Sequence, residues 1–403
     1  MATDLRDADT GIGPPVDAKG RGGHLRVNLY LKHFPPSGGP LVGGTSKAVA
    51  GFASGLAKYG TAVTVLCEGP RESTCELEYV VRSFSEVHTR NPFALSPGLV
   101  AFLRATAQHS VTVLNGMFHP SVYSLARLLS QMGGAYIVAP HGAYDPLLFR
   151  QKPHLKWPYW FCFERPALNG SMAIQVLDRR HSSWLRRLGI STAVIEVPNG
   201  LSDDALWESP APSAKQGDPI SICFLGRIDA YNKGLDLLVE AFRAVADTKR
   251  VRLVLRGPDW GGRAALAKQA ASLIREGKVA FLEPDYMSPT SLLFQSCDIV
   301  CLPSRHEGFG LSALEAMAAE RVVLVSETAG VAPHVLASGC GVVVTPTVSD
   351  IVRGLHALIG RRNEWKSMGE KGREYVRTRL RWEPIAAQAL DCYRSLLGSR
   401  LSG

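Results

Sequence analysis

Two cations and two carboxylates stand where a polyanionic, hydroxyl-rich ligand would need them. Arg227 and Lys233 lie six residues apart in GRIDAYNKG, between the apolar run ISICFLG and an amphipathic stretch. Arginine offers a planar fork to phosphate oxygens, lysine a movable point charge, and a helix beginning near Gly234 adds the positive end of its dipole. That combination can hold a diphosphate. Farther along, PSRHEGFGLSALE places Glu307 in a Gly-containing loop and Glu315 in the helix that follows. Carboxylates in a cleft are costly unless they accept hydrogen bonds, which paired sugar hydroxyls supply. The spacing lets both reach one cleft only if Glu307 precedes the helix, which puts Glu315 about two turns along. His141, in AYIVAPHG, is the one histidine of eleven in a comparable setting, at the end of an apolar run. The plainer readings are a solvated loop for Arg227 and Lys233, a surface position for Glu315 and a packed ring for His141. The shared placement of all five weighs against them.

Such placement requires strands that end together. From Leu25 onward, short apolar runs alternate with longer amphipathic stretches: LRVNLYL, a helix from about Thr45 to Tyr59, AVTVLCE, VTVLNG, AYIVAPHG, MAIQVLD and VIEVPNG. A second series follows, with ISICFLG, RLVLRG, VAFLEP, DIVCLPS, RVVLVSE and GVVVTP. The alternation predicts an α/β chain of two Rossmann-like, doubly wound parallel sheets facing a central cleft, with ligands at the carboxyl ends of the strands. Residues 1–23 read as a disordered tail, 24–207 as the first domain, 208–219 (ESPAPSAKQGDP) as a linker, and 220–382 as the second domain.

A chain of 403 residues is too long for one core, and 46% hydrophobic with 20% charged residues excludes global disorder. No apolar run is long enough to cross a bilayer and no leader-like segment opens the chain, so the expected location is the cytoplasm. Eight scattered cysteines without a CxxC pair read as small core residues or free thiols, against a metal or disulfide framework. The acid pairs Asp7/Asp9 and Asp203/Asp204 do not follow hydrophobic strands, so no metal is implied. Of the formal charge of +9, an excess of six falls in residues 147–190, with eight Lys or Arg against Glu164 and Asp178. Within 147–165 those cations interleave with Trp157, Tyr159, Trp160, Phe161 and Phe163. Two readings stay open: a surface resting on anionic lipid at the inner face of a membrane, or aromatics packing a helix into the first domain. A single basic cluster with no recognition motif excludes a nucleic-acid binder.

The motifs, in order, resemble the retaining GT-B glycosyltransferases of family four, the group 1 glycosyl transferases. The resemblance rests on GR with Lys233 six residues on, PS-x-x-EGFG-x-x-x-LEAMA, GGTSKAVAGFASGLAKYGTAVTVL, APHG and VIEVPNG, over roughly residues 25–390. It implies transfer of a hexose from a UDP- or GDP-sugar to a polysaccharide or lipid-linked oligosaccharide acceptor, with no cofactor. Residue by residue, it implies that Arg227 and Lys233 hold the donor diphosphate and Glu315 the ribose. Glu307 and the amides of Gly308, Phe309 and Gly310 would engage the sugar, Gly43 and Gly44 would approach donor phosphate, and His141 would face the sugar from the opposite domain. It further implies that a donor phosphate oxygen takes the acceptor proton, with no protein nucleophile, and that residues 383–403 form a helix crossing back to the acceptor-side first domain. A sugar-nucleotide epimerase and a non-catalytic nucleotide-sugar-binding protein are the alternatives. The chain departs from the family pattern at Glu320 and Val322, where Gly and Pro are usual, at TAGVAPHV, and at Glu283 and Pro284.

Overall fold

The computed structural model describes residues 25–35, 41, 43–87, 89–203, 206, 219–288 and 290–401. The tail 1–23 and all of the linker 208–219 except Pro219 lie outside these. The first sheet comprises β1 (Arg26–Tyr30), β2 (Ala62–Gly69), β3 (Ser73–Glu76), β4 (Val80–Ser85), β5 (Ser110–Asn115), β6 (Ala135–Ala139), β7 (Ala173–Val176) and β8 (Val194–Glu196). Their spatial order is β3-β4-β2-β1-β5-β6-β7-β8. The second sheet comprises β9 (Ile220–Leu225), β10 (Val251–Arg256), β11 (Val279–Leu282), β12 (Ile299–Leu302), β13 (Val322–Ser326) and β14 (Gly341–Val344), in the order β11-β10-β9-β12-β13-β14. β5, β6, β12 and β13 are buried along their whole length, as β-branched runs covered on both faces should be.

One pairing departs from an all-parallel plan: β3 runs antiparallel to β4 at the edge of the first sheet. Neither strand is an apolar run. STCE, the edge strand, has no buried residue, and VVRSFS next to it carries exposed Arg82. In each sheet the chain order reverses near the middle, between β1 and β5 and between β9 and β12. These switch points are where open parallel sheets leave room for ligands.

The helices that matter for the site are α1 (Gly44–Lys58), α2 (Leu235–Ala246), α3 (Leu311–Ala318) and α4 (Trp382–Leu401). α4 follows the second domain but packs on α1 of the first. A Cβ at Gly51 would overlap the Trp382 indole, and Gly55 faces the Trp382 carbonyl and the Ala386 methyl. Tyr393 Oη donates to Gln175 Oε1 at 2.5 Å. At the same crossing, Lys58 and Arg381 both pair with Asp203 and Glu383.

The expectation that the cysteines are all core residues or free thiols needs correction. Cys223 on β9 is joined to Cys297, just before β12, in a disulfide across 74 residues. β9 and β12 are neighbours in the sheet, so topology joins what sequence separates. Cys67, Cys301 and Cys340 are buried free thiols. Among the described residues no helix is long and apolar enough to cross a membrane.

Candidate active site

The cations of the second domain follow β9. Arg227 is exposed, and its guanidinium lies over the Trp260 ring, 4.4 Å from the centroid. Asp229 closes the next turn by accepting from the Asn232 amide and side chain at 3.0 and 2.8 Å. Gly234, at φ 63°, caps α2 and presses on the Pro303 carbonyl, where no Cβ would fit. That contact seats Lys233 against the loop after β12. Lys233 Nζ donates to Glu307 Oε2 at 2.5 Å, and Ser304 Oγ donates to the same oxygen at 3.2 Å. The two side chains are only 14% and 13% exposed, so this pair is strongly positioned.

α3 begins one residue after Gly310, whose φ of 105° and contact with Leu302 exclude a side chain. Phe309 is buried 5.7 Å from the His334 ring, and its carbonyl accepts from Val331 N at 2.8 Å. Its side chain therefore anchors the loop and does not enter the cleft. Glu315 stands just over one turn into α3, short of the two turns its spacing suggested, because the helix starts only at Leu311. It is not a surface residue. Its Oε1 accepts from Lys47 Nζ of α1 at 2.9 Å, with the Glu315 side chain 13% exposed.

The facing wall comes from the first domain. Gly43, at φ 99°, caps α1, and a Cβ on Gly44 would lie 3.3 Å from Leu311 Cδ1. The amino ends of α1 and α3 thus meet across the cleft, and both dipoles direct positive potential there. His141 sits at φ 57°, in the left-handed region, and its carbonyl packs on Gly308 where a Cβ could not be placed. Its Nε2 lies 2.7 Å from Asn115 Oδ1. Asn115 spends its amide nitrogen on the Tyr30 and Val113 carbonyls, which leaves Oδ1 as the acceptor and puts the proton on His141 Nε2. Burial pushes the His141 pKa down to about 4, so the ring is neutral at pH 7 with Nδ1 as its free acceptor.

The structure brings Lys233, Glu307, His141, Gly43, Gly44, Gly308, Phe309, Gly310 and Glu315 to the contact between the two domains, while Arg227 stands in the loop after β9 against Trp260. Several partners were not legible in the sequence. Lys47 gives no signal apart from following the Gly pair, and Asn115 only ends an apolar run. His306 was passed over among the other histidines, yet its Nδ1 meets Asp145 Oδ2 across the cleft at 2.5 Å. Gln151 Nε2 donates to Asn232 at 2.8 Å, and Arg180 donates to the Glu327 and Ala329 carbonyls at 3.1 and 3.0 Å, so the cleft is closed. Behind the His141 loop, buried Glu164 accepts from Phe118 N and Tyr144 Oη at 2.9 and 2.5 Å. Desolvation nevertheless raises its pKa to about 7.

The basic aromatic segment is partly packed into the first domain and partly exposed. Trp160 and Phe149 are buried and pack edge to face, Trp157 stacks on Phe149 at 4.5 Å, and Leu155, Trp157, Phe161, Arg150 and Lys152 are exposed. Trp157 and Phe161 stack on each other at 5.8 Å.

Both domains match known protein families. Residues 206–375 match the family model described as "Glycosyl transferases group 1", and residues 43–200 match a "Glycosyl transferase 4-like domain". A D-inositol 3-phosphate glycosyltransferase of Nocardia farcinica is 30% identical over 189 residues, 45% of this chain and 41% of that protein. A phosphatidyl-myo-inositol mannosyltransferase of Mycolicibacterium smegmatis is 28% identical over 234 residues, 57% of this chain and 58% of that one. The chain thus spans about half the length of the curated relatives it matches. Among solved structures, sucrose-phosphate synthase from Thermosynechococcus elongatus superposes with a TM-score of 0.75 at 19% identity, covering 93% of this chain and all of that one. Anabaena Alr3699/HepE, solved with UDP and glucose, gives 0.68 at 16% identity, covering 92% of this chain and all of that one.

Proposed function

The chain belongs to the group 1 glycosyltransferases and has the GT-B fold, and from that premise we propose that it is a retaining hexosyltransferase. Its donor is a UDP- or GDP-sugar and its acceptor a polysaccharide or a lipid-linked oligosaccharide. The observation that carries this reading is the closed cleft in which Lys233 and Glu307 of one domain stand opposite neutral His141 of the other.

In the reaction, Arg227 and Lys233 take the donor diphosphate, with the amino ends of α1 and α3 adding dipolar stabilisation. Glu315 accepts from the ribose hydroxyls after releasing Lys47. Glu307 and the Gly308–Gly310 backbone engage the hexose, and His141 Nδ1 accepts a sugar hydroxyl. As the bond between the anomeric carbon and the phosphate oxygen breaks, charge grows on the diphosphate and the fixed cations stabilise that state more than the ground state. The acceptor oxygen bonds to the anomeric carbon on the same face, and its proton passes to the departing phosphate oxygen. Glu307 is assigned to the hexose hydroxyls and not to a nucleophile's role, since the acceptor attacks on the face the phosphate leaves. In this scheme the positive charge that meets the diphosphate is supplied by Arg227 and Lys233.

Leu155, Trp157 and Phe161, with Arg150 and Lys152 beside them, suit peripheral contact with an anionic membrane at its cytoplasmic face. The donor is tested by thermal stabilisation with UDP, GDP, ADP and their sugars, since a ligand at 100 times its Kd adds about 2.7 kcal/mol. One nucleotide family is expected to raise the melting temperature, and no shift with any of them would overturn the proposal.

A further inference from the structure

Two arginines of the second domain lie within 4.5 Å of an aromatic ring centroid, and their different surroundings distinguish their roles. Arg305 lies 4.5 Å from the Tyr231 ring centroid, and Asp236 grips both of its terminal nitrogens at 2.7 Å. Its charge and fork are consumed. Arg227 lies 4.4 Å from the Trp260 ring centroid, yet among the described residues it makes no ion pair. A ring face attracts the guanidinium without engaging the N–H groups that lie in its plane.

Trp260 is itself 62% exposed, which buries little and argues against a packing role. Its loop is nonetheless fastened to the Arg227 loop by backbone. Ile228 N donates to Pro258 O at 2.8 Å and Trp260 N to Ile228 O at 3.2 Å. Gly262 fits so closely that a Cβ would lie 2.7 Å from Ala230 N, and Asp259 fixes the turn by accepting from the Gly262 and Arg263 amides at 3.0 Å. The indole is therefore held at a fixed distance from the base of the arginine it touches.

We propose that Trp260 is a positioning residue that holds the Arg227 guanidinium over its indole without neutralising it, leaving the charge and N–H donors available to the terminal phosphate of a nucleoside diphosphate. This rests on the donor reading above. A carboxylate in the place of Trp260 would orient Arg227 equally well but would neutralise it and occupy its donors. The indole restricts the arginine's rotamers and keeps its charge available.

Isothermal titration of the full chain with UDP, GDP, UMP and GMP tests this. Trp260→Ala is expected to weaken the diphosphate that wild type binds by about fivefold and to leave the matching monophosphate within about twofold. Trp260→Phe keeps a ring face and is expected to bind like wild type. In an Arg227→Gln background, Trp260→Ala is expected to add no further loss. Equal losses for mono- and diphosphate would assign Trp260 to the base and overturn the proposal. So would unchanged diphosphate binding in Trp260→Ala, or a loss in Trp260→Phe as large as in Trp260→Ala. If wild type binds none of the four nucleotides, the donor reading fails and this inference with it, an outcome distinct from the variant results.

Discussion

Lys233 and Lys47 each hold a glutamate that the proposed chemistry assigns to the donor, and both pairs must rearrange when the nucleotide sugar arrives. An ion pair this enclosed is costly to break from one side, because the remaining charge is left without a partner. Replacing both members removes that penalty. Lys233→Met is therefore expected to lower the melting temperature, whereas Lys233→Met with Glu307→Gln recovers most of it. Turnover separates the roles: both variants are expected to fall about 100-fold or more, since the phosphate-directed charge is gone from each. Melting curves and initial rates on the same samples check this, and a double variant that regained activity along with stability would reduce Lys233 to a structural residue. The residue types at these positions were legible in sequence. Their present partners were not, because Lys47 and Glu315 are 268 residues apart and meet only where two domains close.

Helix and strand ends carry the site, and one of them departs instructively from the family pattern. Glu320 follows α3 where glycine is usual, and its φ of 59° is the left-handed conformation that glycine adopts without cost. Gly369 packs so tightly on the Glu320 backbone that the turn cannot relax, and the compensating ion pair to Arg373 is long, at 3.9 Å. Glu320→Gly is expected to stabilise the second domain by about 1 kcal/mol, read as a rise in its unfolding midpoint in denaturant. A lower midpoint would mean that the carboxylate contributes more than the strain costs. The sequence marked this position as unusual, and the dihedral supplies the physical consequence. Most strands were legible because a strand buried on both faces is a continuous apolar run. β3 and β4 escaped notice because polar side chains are tolerated where one side meets water.

At the scale of the whole molecule, the segment after Asp145 serves two surfaces at once. Asp145 meets His306 and Gln151 meets Asn232 across the cleft, while Leu155, Trp157 and Phe161 face outward a few residues on. A membrane bound there would lie beside the cleft entrance, where a lipid-linked acceptor could be presented. Flotation with vesicles containing anionic lipid is expected to carry the wild-type chain, and less of it as salt rises. Trp157→Ala with Phe161→Ala is expected to remain unbound while retaining transfer to a water-soluble acceptor. Equal flotation of both proteins would place any contact elsewhere. The sequence by itself determined the two-sheet plan, the family and the chemistry-bearing residue types, because periodicity and short motifs are local and survive in one dimension. Tertiary structure alone decided which lysine holds which glutamate, that Cys223 meets Cys297, that His141 is a neutral Nε2–H ring, and that Arg227 lies over Trp260. Each of these depends on burial or on distance between segments remote in the chain, and neither quantity exists until the sheets have formed and the domains have closed.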